Sequence, residues 1–272
     1  MSALISIEQN KKYEKGDSFY SSKYAIILLS NSKFYVDSIQ YDAKEQTVLF
    51  LSPYQKLVWN DDTIVSELLF HGDFYCIEYH KEEVACNGLL FNNIFLKPYV
   101  EIPKEEYLEI KSIFNKIEAK TRDISPFADM INRTYIQLVL ALCSREKSNE
   151  LEKIQKLSPL DFQMRRLQEL IDRYFSRERS PSFYADKLAI SLHSLSRKSK
   201  KSFGKTPTEL IRERVILEAK KMLHLTSKSV KEIAAVLYFD DEYYFSRYFK
   251  KCVGCSPSQY RKEVGISIVV SE

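Results

Sequence analysis

Two short sets of polar side chains recur in the last third of the sequence. His193, Ser196 and Arg197 stand at i, i+3 and i+4, and Glu242, Tyr243, Ser246 and Arg247 cover a similar interval about 50 residues later. On a helix, that spacing brings each set to one face. The residue types are those that hydrogen-bond to base edges. Arginine can make a bidentate contact with guanine, glutamate can accept from cytosine, and serine can bond to either edge or to a phosphate. Lys200, Lys201, Lys250 and Lys251 follow the two sets and suit phosphate oxygens. No nucleophile–base arrangement is legible, so no catalytic residue and no cofactor are expected and the chain does not read as an enzyme.

The elements that must position these side chains are also readable. Ser229 and Glu232 form a capping box that starts a helix, with Ile233, Ala234 and Leu237 on one face. The polar break Asp240-Asp241 starts a second helix, whose Phe245, Tyr248 and Phe249 repeat at helical spacing. Two short helices across a tight break, the second basic and exposed, suit a helix-turn-helix with its second helix in a major groove. A second such unit lies upstream. It has a helix over residues 181–188, a break at Ala189-Ile190-Ser191, and a helix from Leu192 to about Ser202 with Leu195 on its buried side. Ser158-Pro159, Ser180-Pro181, Thr206-Pro207 and Ser256-Pro257 each give an N-cap hydroxyl followed by a first-turn proline. Glu209 and Gln259 complete boxes for the last two. The first helix of this half buries Leu160, Leu167, Leu170, Ile171 and Tyr174. Between the units, residues 208–223 read as one helix of roughly 24 Å. It is long enough to set two recognition helices about one DNA turn, near 34 Å, apart.

The stretch 229–261 also resembles the signature of the AraC/XylS family of bacterial transcription regulators. The matching residues are Ile233-Ala234, Phe239, Asp241, Tyr244-Phe245, Arg247, Phe249-Lys250-Lys251, Gly254, Ser256-Pro257 and Tyr260-Arg261. The resemblance covers about residues 160–263. It implies two helix-turn-helix units joined by one helix, and it places the two polar sets named above in the groove. It further implies an N-terminal half of cupin-like barrel type that binds an effector, and a helical dimer seam. Two residues depart from the family pattern. Tyr238 stands where a glycine is usual, so the turn must either bear a modest strain or change, and the tilt of the second helix with it. Ser199 takes a position that is usually apolar, which is expected to loosen the packing of its helix.

The rest of the chain fits this frame. Residues 160–272 carry a net charge of +8 and residues 1–159 one of −4, so the C-terminal half suits a polyanion. The runs Tyr24–Leu29, 34–41, Thr47–Leu51 and 64–71 are rich in β-branched and aromatic residues between polar breaks, the pattern of successive antiparallel strands. Residues 75–79 extend it. From Pro103 the period becomes helical. Tyr107, Ile110, Phe114 and Ile117 form one stripe, and Phe127, Ile131, Tyr135 or Leu138, and Leu142 form another, which either packs on the barrel or forms a dimer seam. His71, His80, Glu78 and Glu82 are too sparse for a cupin metal site, and Cys252-Val253-Gly254-Cys255 has no second pair to complete a zinc site. Five cysteines, no leader-like opening and no long apolar run favour a cytoplasmic protein with reduced thiols and no membrane partner.

The expected fold is therefore α+β. It comprises a cupin-like antiparallel β-barrel sensor over 1–120, a helical linker or dimerisation region over 121–158, and an all-α domain with two helix-turn-helix units over 159–272. The expected function is sequence-specific transcription regulation, with activation favoured. Double-stranded DNA, RNA polymerase, a small-molecule effector and a second copy of the chain are the expected partners. The alternatives are a ligand-free N-terminal half controlled by a protein partner and, more distantly, a cupin-type metal-dependent enzyme.

Overall fold

A computed structural model describes residues 4–37, 39–75, 77, 88–121, 127–157 and 162–266. The chain divides into two compact units, Met1–Asn93 with Lys97–Leu151, and Ile94–Leu96 with Glu152–Glu272.

The first unit begins with β1 (Ile5–Tyr13), β2 (Ser18–Phe19), β3 (Tyr24–Leu29), β4 (Ser32–Val36) and β5 (Ile39–Ala43). It continues with β6 (Thr47–Leu51), β7 (Leu57–Trp59), β8 (Thr63–Phe70) and β9 (Tyr99–Glu101). They form a five-stranded sheet in the order β1-β8-β3-β6-β9 and a four-stranded sheet in the order β2-β7-β4-β5. Every pairing is antiparallel.

The expected cupin-like barrel is not formed. Among the described residues no strand pairs across the two sheets, and each sheet keeps two outer strands, β1 and β9 in one, β2 and β5 in the other. The physical reason lies in β3 and β6, whose residues are all buried. One face of this central sheet meets the second sheet through Ala25, Ile27, Leu49, Leu51, Phe34 and Trp59. The other face presents Ile26, Leu28, Val48 and Phe50 to α1 (Lys104–Thr121) and α2 (Ala128–Leu157). Helices cover the second face, so the apolar surface is buried without the sheet closing on itself.

Other strand expectations also change. The run 34–41 is a hairpin rather than one strand, with Phe34 opposite Tyr41 and Val36 opposite Ile39. Asp37 turns it with φ at 55°, a left-handed conformation that aspartate tolerates. Strand β1 carries no strand signal in the sequence, because its alternation is mostly polar, with Glu8, Lys11 and Lys12 among its residues. Tyr75 and Ile77 are buried outside any strand, and the remainder of 75–79 lies outside the described residues.

Stripes on the two helices fare differently. Ile110, Phe114 and Ile117 are buried as their spacing predicts. On α2 the buried face is instead Ile136, Val139, Leu140 and Cys143. Phe127 and Leu138 are 61% and 41% exposed, while Tyr135 and Leu142 pack at the edge of the core. Apolar residues occupy more than one side of α2, and only the sheet selects which side is covered.

Two buried charged groups here are paired. Glu67 accepts from the Tyr13 hydroxyl at 2.5 Å and from Lys11 Nζ at 3.1 Å. Lys147 Nζ donates to Tyr99 O at 2.8 Å and pairs with Glu150 at 3.0 Å. His71 Nδ1 accepts from the Asp73 backbone N–H at 3.2 Å. His80, Glu78 and Glu82 lie outside the described residues.

The second unit is helical. It contains α3 (Phe162–Tyr174), α4 (Pro181–Lys187), α5 (Leu192–Phe203), α6 (Pro207–Leu225), α7 (Val230–Val236), α8 (Glu242–Val253) and α9 (Pro257–Val264). Both halves of the capping box are present at Thr206/Glu209 and at Ser229/Glu232. At Ser256 the box is half made: its hydroxyl accepts from Gln259 N–H, but the Gln259 side chain donates to Glu263. Ser180 caps α4 by position only, without a side-chain bond. Leu167, Leu170 and Ile171 are buried on α3 and Tyr174 is half-buried, whereas Ser158, Pro159 and Leu160 lie outside the described residues.

Candidate nucleic-acid interface

The two helix-turn-helix units share one turn geometry. After α4, Ala189 N–H donates to Asp186 O and Ile190 N–H to Ala185 O, both at 3.1 Å. After α7, Tyr238 N–H donates to Ala235 O at 3.0 Å and Phe239 N–H to Ala234 O at 2.9 Å. Each pair is a Schellman closure, which needs a left-handed residue at its centre. Ala189 supplies it with φ at 52° and Tyr238 with φ at 55°. Tyr238 therefore keeps the turn a glycine would make and bears the strain, about 1–2 kcal/mol for an L-residue.

Two arginines brace that strained turn. Arg177 lies 4.6 Å over the Tyr238 ring and donates to its hydroxyl. Arg179 lies 3.8 Å over the Phe239 ring and donates to Leu237 O and, at 3.3 Å, to Tyr238 O. Phe239 in turn meets Phe245 and Tyr248 with ring centroids 5.1 and 5.3 Å apart. Burial pushes the Tyr248 phenol up to about 12, so it remains protonated at neutral pH.

The second helix of each unit, α5 and α8, is anchored by residues that repeat every fourth position. Leu195 and Ser199 are buried on α5, Phe245 and Phe249 on α8. Ser199 does not leave a gap: its hydroxyl donates to the carbonyl of buried Lys205 at 2.7 Å in the loop that follows. In the equivalent place Phe249 meets Phe245 at 6.0 Å and Tyr260 at 5.6 Å. Opposite these anchors stand the polar sets. His193, Arg197, Lys200 and Lys201 are exposed, and Ser194 and Ser196 are half-buried. On α8, Tyr243 is 82% exposed, Arg247, Lys250 and Lys251 are exposed, and Glu242 and Ser246 are half-buried. Both helices stop at a left-handed glycine, Gly204 or Gly254. Cys252 is exposed and Cys255 buried, at the end of α8 and in the loop beyond it.

Helix α6 has 19 residues, and at 1.5 Å per residue it spans about 28 Å. Arg261, the last residue of the signature, ties α9 to the far end of α6 by donating to Leu223 O at 3.1 Å and to Lys228 O. Arg177 and Arg179 carried no sequence signal. They sit in a short connection without periodicity, and their partners lie about 60 residues away.

Residues 184–263 match a family model described as a helix-turn-helix domain. The chain is 49% identical over 53 residues to YkgA of Escherichia coli (strain K12), covering 20% of this chain and 22% of that protein. It is 29% identical over 129 residues to the HTH-type transcriptional activator RhaS of Enterobacter sp. (strain 638), covering 47% of this chain and 44% of RhaS. It is 23% identical over 201 residues to the HTH-type transcriptional activator RhaR of Escherichia coli (strain K12), covering 72% and 70%. The chain thus spans less than half the length of the first two relatives.

Proposed function

We propose that the chain is a member of the AraC/XylS family of helix-turn-helix regulators and, from that premise, that it binds duplex DNA sequence-specifically and regulates transcription, as an activator. One observation carries the reading. Two units of the same turn geometry present the same exposed polar face, and a single continuous helix joins them. His193, Ser196 and Arg197 read one half-site, and Glu242, Tyr243, Ser246 and Arg247 read the other. Lys200, Lys201, Lys250 and Lys251 contact phosphates. Activation accords with the names of RhaS and RhaR and brings RNA polymerase in as a partner.

Selection of bound duplexes from a random pool by the full chain tests this. Two motifs about 10 base pairs apart are expected, with affinity falling steeply as salt rises because phosphate contacts release counterions. A flat salt response or a single motif would refute it.

The first unit mediates pairing of two copies in this reading. Met130 and Leu138 on α2 and Leu108 on α1 are exposed apolar residues that a second copy would cover. A separate observation favours control without a small molecule. Trp59, Phe34, Tyr13, Tyr41 and Tyr99 pack ring against ring between the sheets and fill that interior with side chains. The cupin-type enzyme is the least supported reading, because among the described residues the sheets do not close.

A further inference from the structure

We propose that Arg179 is a positioning residue that ties the start of the first helix-turn-helix unit to the turn of the second, and so fixes the angle between the two recognition helices. This rests on the reading of the chain as a two-site DNA binder. Arg179 immediately precedes Ser180, the N-cap of α4, so its backbone moves with the first unit. Its side chain belongs to the second. The guanidinium bridges Leu237 O and Tyr238 O and stacks 3.8 Å over Phe239. Phe239 passes the contact to α8 through Tyr244, Phe245 and Tyr248.

Helix α6 alone would not set that angle. A rigid helix fixes the distance between the units, but each is joined to it through a short connection, 204–206 on one side and 226–229 on the other. Each unit also packs on α6, which buries Leu210, Ile211, Val215 and Leu223, and Arg261 ties α9 to it, but none of these contacts runs directly from one unit to the other. Arg179 supplies a direct tether, and Arg177 adds a weaker one through the Tyr238 ring and hydroxyl. The chemistry requires arginine. Both carbonyls are reached from one nitrogen, Nη2, so what separates arginine from lysine here is the planar guanidinium stacked over Phe239, which an ammonium on a flexible stem does not reproduce.

The test uses the full chain as wild type, Arg179→Lys and Arg179→Ala. Affinity is measured on selected duplexes whose half-site spacing is changed by one or two base pairs, and on duplexes with one half-site scrambled. Amide exchange is followed at Tyr238 and Phe239, with Ala189 and Ile190 as internal reference. Arg179→Lys is expected to keep the base preference of each half-site but lose most of the spacing preference. Exchange at Tyr238 and Phe239 should rise about tenfold or more, as loss of hydrogen bonds from a charged donor implies, with the reference amides unmoved. If Arg179→Lys behaves as wild type, or if affinity falls equally at every spacing, Arg179 is a phosphate contact and the proposal fails. A wild type that binds no duplex would sink the DNA-binding reading instead, and the exchange arm would then decide whether the tether exists.

Discussion

Replacing Ala189 and Tyr238 by glycine, one at a time, should move the stability of the helical unit in opposite directions. Both residues hold nearly the same left-handed backbone, at φ 52° and 55°, in the same type of helix ending. Glycine relieves roughly 1–2 kcal/mol of strain at either site. The freer unfolded chain takes back about 0.4–1 kcal/mol. Ala189→Gly should therefore stabilise by about 0.5–1 kcal/mol. Tyr238→Gly gains the same relief but loses the Arg177 stacking, about 0.5–1 kcal/mol at an exposed site. It also loses the Arg177 bond to the phenol, about 0.5–1.5 kcal/mol. The sum is a net loss of up to about 2 kcal/mol and centred near 1, and the two variants should differ by the lost contacts, about 1–2.5 kcal/mol. Native-state amide exchange at buried Val215 and Phe249 reads this within the helical unit, without assuming that the whole chain unfolds in one step. A gap of 1.4 kcal/mol is about tenfold in exchange rate. If both variants shift in the same direction by the same amount, the Tyr238 side chain contributes nothing and strain alone governs the turn.

Arg197→Ala and Arg247→Ala should each cost about 1–3 kcal/mol of binding and relax base preference at a different half-site, measured by anisotropy titration against duplexes scrambled at one half-site. Ser199→Phe, which matches the aromatic Phe249 of the second unit, should destabilise by about 1–3 kcal/mol in chemical denaturation, because Ser199 is fully buried and bonded to Lys205 O. Burial raises the Glu209 carboxyl pKa, but bonds from the Thr206 N–H and hydroxyl, with Arg212 nearby, lower it more, and the net value lies below its ordinary one. Its contribution to stability is therefore complete above the ordinary carboxylate range and is lost as pH falls through the depressed value. Glu209→Gln should flatten that acid limb in a pH series of helix content. Leu138→Lys should shift the full chain toward monomer in sedimentation, with its helix content unchanged.

The sequence by itself determined the helical unit almost residue by residue, apart from the segment around Ser158-Pro159. Its signals act over three or four residues. Thr206 with Glu209 and Ser229 with Glu232 close their own boxes, and proline sits in the first turn of α4, α6 and α9. The two polar faces follow from helical spacing alone, since Leu195 and Phe245 must point the other way. Strands β3 and β6 were legible for the same local reason, being short apolar runs between polar breaks. Only the tertiary structure decided how the sheets end. Closure depends on which strands pair and on what covers the second face of β3 and β6, and those partners, on α1 and α2, lie more than 50 residues away. The same holds for the covered side of α2, where several apolar faces compete and the sheet selects one. It holds most clearly for Tyr238. Local chemistry marks the residue as strained, but the contacts that Arg177 and Arg179 add to the turn come from a segment with no pattern of its own. Short-range signals are written in spacing, whereas a contact across some 60 residues is written only in the fold.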